Sequence, residues 1–178
     1  MKAYDIDVTQ LRTLSPELTA GDRVSLSGTI YTARDAAHKK LFALLESEVP
    51  LPIPIKDGVI YYCGSTPAPA WLPIGACGPT TSGRMDPYAP RLYDLGLAAT
   101  VGKGERSAEV AEAIKRNRAV YLCAVGGAGA LAAKSVLSAE VIAFPELGCE
   151  AVKRLEIKNF PLVVGIDCQG GNLFQNSY

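Results

Sequence analysis

The chain has 178 residues, of which 48% are hydrophobic and 20% are charged, with eighteen basic residues against eighteen acidic ones. This length suits one folded unit with a substantial core, so we expect residues 1–178 to form a single domain. A balanced charge without a basic stripe argues against nucleic acid as a partner, because phosphate binding needs concentrated positive charge. No apolar run approaches membrane-spanning length and the first residues lack a secretory signal, so the sequence predicts a cytoplasmic protein without membrane contact.

The first part of the chain predicts one clear strand and one clear helix. Residues 1–22 are predicted to be a lead-in segment, and residues 23–30 alternate apolar with polar side chains, which is typical of a half-exposed strand. Residues 35–48 carry apolar side chains at helical spacing and predict a helix with Asp35 as its N-cap. Prolines then favour extended connectors, including a rigid surface loop over 65–73.

Strands and helices follow in uneven alternation through the rest of the chain. The predicted helices cover 86–95, 107–116 and 131–137, and the predicted strands cover 59–63, 98–101, 119–125, 140–144, 152–157 and 162–167. Several strands are adjacent near the C-terminus, so part of the sheet should be antiparallel. The pattern alone predicts a mixed α/β domain.

Five cysteines are scattered along the chain without a Cys-x-x-Cys spacing, and His38 is the single histidine. An odd number of scattered cysteines argues against a disulfide framework. Cys77 and Cys149 adjoin glycine-containing loops, so their thiols are expected to be the more accessible ones. With so few suitably spaced ligands, the sequence predicts no metal or iron–sulfur site held by this chain alone.

Residues 78–86, Gly-Pro-Thr-Thr-Ser-Gly-Arg-Met-Asp, form the most informative motif in the chain. Hydroxyls and backbone N–H groups donate to a small anion, and the guanidinium of Arg84 can bind a carboxylate with two donors. Two more cations stand in similar contexts, Arg34 at a strand-to-helix junction and Lys103 between two glycines. Three cations and a threonine pair suit a compact dicarboxylate.

Each of these features also has a plainer explanation. The threonine-rich loop can cap a helix and leave Arg84 in solvent, and Arg34 can form an exposed pair with Asp35 that adds little stability. His38 lies one turn after Arg34 and is a candidate general acid or base, although a lone helical histidine is more often structural. Residues 127–132 fit the loose dinucleotide pattern, but too few residues follow for the paired halves of a nucleotide-binding fold.

The three cationic motifs, together with the ordered segments 28–39, 60–64 and 146–151, resemble the β-subunit, or C-terminal domain, of class I fumarate hydratases and their tartrate dehydratase relatives. The resemblance implies a swivelling β/β/α fold, in which helices flank a curled, partly barrel-like sheet. It implies reversible hydration of fumarate to malate, since Gly83 and Asp86 are nearer the fumarase form than the tartrate form. An L-tartrate dehydratase β-subunit and a non-catalytic carboxylate-binding module are the alternatives.

The resemblance also implies roles for individual residues. The residues implied to bind substrate are Arg34, Thr80, Arg84 and Lys103. Thr80 is implied to act in proton transfer as well, with His38 as a secondary catalytic candidate. Class I fumarases carry a [4Fe–4S] cluster on cysteines of an α-subunit or N-terminal domain, and nothing in this sequence resembles that part. The implied partner is therefore an α-subunit that carries the cluster and completes the active site in a heterotetramer of two α- and two β-subunits.

Overall fold

In the computed structural model, which describes residues 1–125 and 129–175, seven strands form one sheet. The strands are β1 (Ala3–Asp7), β2 (Arg23–Thr32), β3 (Val59–Tyr61), β4 (Ala99–Gly102), β5 (Val120–Cys123), β6 (Val136–Ala143) and β7 (Val152–Ile166). Strands β2 to β5 run parallel, and β7 is antiparallel to both β5 and β2. Because β7 pairs with the first and the last of the parallel strands, these five close into a barrel-like ring, while β1 extends β2 and β6 extends β7.

Five α-helices lie within the described ranges. They are α1 (Val8–Leu14), α2 (Asp35–Glu46), α3 (Ala89–Asp94), α4 (Ala108–Arg116) and α5 (Gly129–Lys134), with 3-10 turns at Ser15–Glu17, Ser82–Met85 and Pro145–Glu150. Helix α4 begins after Ser107, whose hydroxyl accepts a hydrogen bond from the Val110 N–H, and basic residues occupy its last turn beside the negative end of the helix. None of these described helices combines the length and apolarity that crossing a bilayer requires.

Two buried apolar clusters cover the two faces of the central strands. Alternate residues of β3 divide between them, since Val59 and Tyr61 belong to one cluster and Ile60 to the other. The first cluster also contains side chains of α1 and α5, and the second contains side chains of α2, α3 and α4. Parallel strands need this cover on both faces, so the helices are held against the ring and the loops at the strand ends have fixed starting points.

The predicted mixed α/β domain, with helices around a curled and partly barrel-like sheet, is confirmed. The lead-in prediction for residues 1–22 is wrong, because β1 pairs in parallel with β2 and Asp7 caps α1. The prediction of two separate strands over 152–157 and 162–167 is also wrong. Strand β7 continues through both, since Pro161 pairs opposite Ser25 without ending the strand.

Candidate functional site

The predicted cationic residues gather at the carboxyl ends of the parallel strands. Arg34 follows β2 by two residues, Lys103 follows β4 directly, and residues 78–86, here named the threonine loop, follow β3. Parallel neighbours end at the same edge of a sheet, which is where ligands bind in open α/β sheets. One edge therefore carries all three cations that the sequence predicts, with Arg84 supplied by the threonine loop.

Backbone hydrogen bonds fix the threonine loop to two strand ends. The Thr80 N–H donates to the Tyr62 carbonyl at 2.7 Å, and the Ser82 N–H donates to the Lys103 carbonyl at 2.9 Å. Thr81 and Lys103 also form a parallel β-bridge. These bonds hold Thr80 against the chain that follows β3, and Thr81 and Ser82 against Lys103 at the end of β4.

Asp35 joins the two predicted arginines. Arg84 Nε donates to Asp35 Oδ1 at 2.9 Å, while Arg34 Nε lies 3.8 Å from Asp35 Oδ2 and 3.5 Å from Glu150 Oε1. Asp35 is the first residue of α2 rather than its cap, which is Arg34, and a carboxylate at this position interacts favourably with the helix dipole. The plain pairing of Arg34 with Asp35 is thus present, but the same carboxylate also holds Arg84 from a distant part of the chain.

Unsatisfied polar atoms concentrate around Arg34, Asp35 and Glu150, here named the ion cluster. Within the described residues, the buried side-chain atoms without a hydrogen-bond partner are Arg34 Nε, Asp35 Oδ2, His38 Nε2 and Glu150 Oε1. Buried polar groups are normally satisfied, and exceptions need an explanation such as a water, an ion or a functional role. Three of these atoms face one another within the cluster of Arg34, Asp35 and Glu150. The polar network at this sheet edge is therefore incomplete.

His38 contacts the main chain of the ion cluster at Arg34. Its ring is fully buried against Tyr62 and Tyr88, with ring centroids 5.5 Å and 5.4 Å away. Nδ1 lies 2.8 Å from the Arg34 carbonyl, so the proton on Nδ1 is donated to that oxygen. Burial lowers the pKa of His38 to about 4, which leaves the ring neutral at pH 7. This arrangement supports the main chain at Arg34, and a catalytic role for His38 stays a prediction.

A buried ion pair that the sequence did not reveal anchors the threonine loop. The Arg106 side chain has no solvent exposure, and its Nε donates to Asp86 Oδ1 at 2.7 Å. The Ser107 N–H donates to the other oxygen of Asp86 at 2.6 Å. The Arg106 guanidinium also lies over the rings of Tyr62 and Tyr121, at 5.3 Å and 4.9 Å from their centroids. Asp86 therefore holds the loop in place rather than facing a ligand.

At two glycines of the site, the space that a Cβ atom would fill is taken by a neighbouring side chain. A Cβ atom added to Gly64 would lie 2.9 Å from Arg34 Nη1, and one added to Gly102 would overlap Ser82 Oγ. The Ser82 hydroxyl lies 2.9 Å from the Tyr121 hydroxyl, in a space that a larger residue at Gly102 would occupy. These close approaches explain why the strand ends carry glycine.

The cysteines only partly follow the sequence-based expectation. Cys149 is exposed as expected, but Cys77 is buried. Its N–H donates to the Gly129 carbonyl at 3.1 Å and its own carbonyl accepts from the Tyr61 hydroxyl, so both sides of the residue are covered. Among the described residues, no three His, Cys, Asp or Glu side chains are arranged to hold a metal ion. The glycine-rich pattern at 127–132 falls partly outside the described residues.

An apolar surface borders the site. It is built on the proline-rich loop 65–73 and includes Trp71, which is 81% exposed, and we name it the Trp71 surface. Grooves of about 520 Å³ and about 390 Å³ flank the loop. Trp71 and residues of α5 line the larger groove, and Val141 and Cys149 help to line the smaller one. The smaller groove thus ends next to Glu150 of the ion cluster. Exposed apolar surfaces of this kind mark interaction sites.

Comparison with known proteins identifies the family. The family described as Fumarase C-terminus matches residues 2–177. The anaerobic class I fumarate hydratase of Escherichia coli (strain K12) is 43% identical over 155 residues, which cover 86% of this chain and 28% of that protein. Fumarate hydratase 2 of Leishmania major is 37% identical, over 96% of this chain and 30% of that protein.

A shorter relative matches along most of its own length. A Methanocaldococcus jannaschii protein named as an L(+)-tartrate dehydratase subunit beta is 39% identical over 166 residues, which cover 89% of this chain and 85% of the relative. The chain spans less than a third of the length of the two fumarate hydratases, at 28% and 30%. The chain therefore belongs to the fumarase C-terminus family and corresponds to the C-terminal or β-type part of class I fumarate hydratases.

Proposed function

We propose that this chain supplies the dicarboxylate-binding half of the active site of a hydro-lyase that interconverts fumarate and malate. The observation that carries the proposal is the grouping of cations at one sheet edge. Asp35 accepts a hydrogen bond from Arg84 and lies 3.8 Å from Arg34 Nε, and the threonine loop pairs with the end of β4 through Thr81 and Lys103. Three cations at one sheet edge suit a small dianion.

The two arginines are suited to bind a carboxylate. The side chains of Arg34 and Arg84 are 24% and 52% exposed, and their ion pairs use Nε. Across residues 1–125 and 129–175, no protein hydrogen bond occupies the terminal nitrogens of either guanidinium. A guanidinium offers parallel donors that match the two oxygens of a carboxylate. We assign these nitrogens to one carboxylate of the substrate, and Lys103, which is exposed, adds a further positive charge.

The same residues suit the chemistry of hydration. Removal of a proton from the carbon next to a carboxylate places negative charge on that carboxylate. Fixed cations stabilise such developing charge strongly once a site is closed to water. Thr80 is half-buried, and within the described residues its hydroxyl makes no hydrogen bond. We propose that this hydroxyl contacts the substrate and takes part in proton transfer.

The side chains at this sheet edge do not fit an iron–sulfur cluster. Clusters are held by thiolates, whereas the groups that meet here are guanidiniums, an ammonium, hydroxyls and carboxylates. The thiols of Cys63 and Cys77, which lie near the end of β3, are buried. A hydrogen bond with Cys77 and burial both raise the pKa of Cys63, which disfavours a thiolate at Cys63. We propose that a partner α-subunit carries the [4Fe–4S] cluster.

An α-type partner is supported by the name of one relative and by the Trp71 surface. The Methanocaldococcus jannaschii protein that is 39% identical to this chain is named as a subunit beta, which implies a second subunit for that protein. An exposed tryptophan between two apolar grooves is a good anchor for a protein partner. We propose that an α-subunit docks on the Trp71 surface and closes the site, in a heterotetramer of two α- and two β-subunits.

The proposed setting is a single domain in the cytoplasm. All five cysteines are free, as expected where the environment keeps thiols reduced. The closed ring of strands and the helices that cover it involve both halves of the described chain, since β2 pairs along β7. This long-range pairing supports one domain over residues 1–178.

L-tartrate dehydration is the second candidate. The match to the subunit beta of Methanocaldococcus jannaschii extends over 89% of this chain and 85% of that protein, and the name of that protein gives tartrate dehydration as its activity. Gly83 is the position that bears on this choice, because an added Cβ there would meet only Glu105 O at 3.8 Å and Asp86 at 4.0 Å. The resemblance implies a bulkier residue than glycine at this position in tartrate dehydratases, and the space beside Gly83 would accept one.

Anaerobic reconstitution with an α-type subunit tests the proposed function. The isolated chain should be free of iron and inactive, and the mixture should hydrate fumarate, with tartrate and mesaconate assayed in parallel to settle the substrate. Malate dehydration by the isolated chain would show that the active site is not divided. Fumarate binding that never leads to turnover with an α-subunit would favour a non-catalytic carboxylate-binding module.

A further inference from the structure

We infer that Asp35 is a positioning residue for the substrate: its carboxylate holds Arg34 and Arg84 by their Nε sides, so that their terminal nitrogens face one substrate carboxylate together. The inference rests on the proposed function and adds to it a residue that binds no substrate itself. From the sequence alone, Asp35 was expected to cap a helix or to form an exposed pair with Arg34, and neither role involves Arg84.

The geometry of Asp35 supports a bridging role. Its Oδ1 accepts from Arg84 Nε at 2.9 Å, and its Oδ2 lies 3.8 Å from Arg34 Nε. Asp35 itself is held at the start of α2, where the His38 N–H donates to the Arg34 carbonyl at 2.8 Å. Thus one carboxylate on a fixed helix end contacts two guanidiniums that come from different parts of the chain.

The nitrogen atoms that Asp35 contacts show whether it positions the arginines or competes with the substrate for them. A carboxylate that competed with the substrate would hydrogen-bond to a terminal nitrogen as well as to Nε, as Asp94 does with Arg116. Here the carboxylates approach Nε of both arginines instead, and Glu150 approaches Arg34 Nε at 3.5 Å. The terminal nitrogens are left to a ligand.

The energetics favour the same conclusion. Two guanidiniums repel each other, and a shared carboxylate offsets that repulsion. Arg84 is half exposed, so without an anchor it would lose side-chain freedom on binding the substrate. Asp35 restricts Arg84 in advance. Arg34 Nε and Asp35 Oδ2 make no hydrogen bond, so Asp35 restrains Arg84 more firmly than it restrains Arg34.

Asp35→Asn tests the inference in the full chain. The amide keeps the size of the side chain but loses the charge and turns one acceptor into a donor that faces a guanidinium. Fumarate binding, followed by NMR titration of the isotopically labelled chain, should weaken about tenfold or more, the range expected for a charge-assisted hydrogen bond. Asp35→Glu, which keeps the carboxylate, should recover part of the affinity. Asp94→Asn is the matched control, because Asp94 pairs with Arg116 at 2.7 Å outside the site and its loss should leave fumarate affinity unchanged.

A double-mutant cycle separates positioning from a general effect on folding. Lysine has no Nε–H at the position that Asp35 contacts, so Asp35→Asn should weaken binding much less in an Arg84→Lys background than in the wild type. Equal losses in both backgrounds would overturn the inference. So would unchanged or tighter fumarate binding by Asp35→Asn, since tighter binding is what a competing carboxylate predicts.

A direct readout keeps this test independent of the proposed function. In the unmodified chain, the Nε–H signal of Arg84 should show the slow exchange of a hydrogen-bonded proton and lose it in Asp35→Asn. If the wild type fails to bind fumarate but shows this signal, the dicarboxylate function is wrong and the bridge is right. If the wild type binds fumarate but the Arg84 signal exchanges as freely as in the variant, the bridge is wrong and the function stands.

Discussion

The ion pair between Asp86 and Arg106 should contribute far more to stability than an exposed pair of the same chemistry. The distance between Arg106 Nε and Asp86 Oδ1 is 2.7 Å, and the side chains of Arg106 and Asp86 are 0% and 15% exposed. The pair between Arg116 and Asp94 has the same 2.7 Å separation between Nη2 and Oδ2, but its side chains are 49% and 46% exposed. Asp86→Asn and Asp94→Asn thus remove the same charge in two environments.

The expected loss of stability in each variant follows from the burial of its ion pair. Breaking a buried pair leaves an uncompensated charge and typically costs about 3–5 kcal/mol. We expect the lower end, about 3 kcal/mol, because asparagine can still accept one hydrogen bond. In a chain of this size that lowers the midpoint of thermal unfolding by roughly 6–12 °C. Water and salt screen the exposed pair, so Asp94→Asn should change stability little.

Thermal and urea unfolding of the two variants, followed by circular dichroism, measures the difference. Added salt should change the Asp94→Asn effect and leave the Asp86→Asn effect nearly constant, since buried charges are poorly screened. Similar midpoints for the two variants would refute the view that Arg106 anchors the threonine loop through a buried charge pair.

Four further predictions concern the site and its surroundings. The pKa of His38 is about 4 in the folded chain and 6.5 in the unfolded chain, so between these pH values the unfolded chain binds one more proton. The free energy of unfolding should therefore fall by about 3 kcal/mol as the pH drops from 6.5 to 4. His38→Gln should remove this pH dependence in urea titrations. Gly64→Ala should displace the Arg34 guanidinium and raise KM for fumarate more than it lowers kcat in the reconstituted enzyme, whereas unchanged KM would contradict the close approach. Thr80→Val should lower kcat while a dicarboxylate inhibitor still binds, and a rise in KM alone would make Thr80 only a binding residue. Trp71→Ser should weaken association with an α-subunit in sedimentation experiments without lowering the thermal midpoint of the isolated chain, and unchanged association would remove the Trp71 surface from the interface.

Much of the fold was predictable because the spacing of apolar side chains along the sequence indicates the helices and strands. The helix over 35–46 and the strand over 23–32 follow from side-chain spacing that any packed arrangement must respect. The candidate cations were predictable for a different reason. Arg34 and Lys103 stand in short polar loops directly after apolar strands, and parallel strands bring such loops to one edge.

The contacts that organise the site were not predictable, because they join distant segments. Glu150 reaches Arg34 across the whole length between the β2 end and the turn before β7, and no local pattern marks that approach. Arg106 lies in a polar stretch that resembles an exposed loop, and its burial depends on how Tyr62 and Tyr121 pack around it. Cys77 is buried by an equally remote contact with α5. In all three cases the contact depends on tertiary packing and not on the local sequence.

The most direct test of the proposed function is the affinity of the chain for fumarate in variants of the three cations. Arg34→Ala and Lys103→Ala each remove a charge-assisted contact to a carboxylate, and Arg84→Lys keeps the charge but loses the two-pronged donor. Each should weaken binding by roughly tenfold to a hundredfold. Arg116→Ala, which removes an exposed arginine elsewhere on the surface, should bind fumarate like the wild type. If the three site variants bind fumarate as tightly as Arg116→Ala does, the cations at the sheet edge do not form a dicarboxylate site and the central claim is wrong.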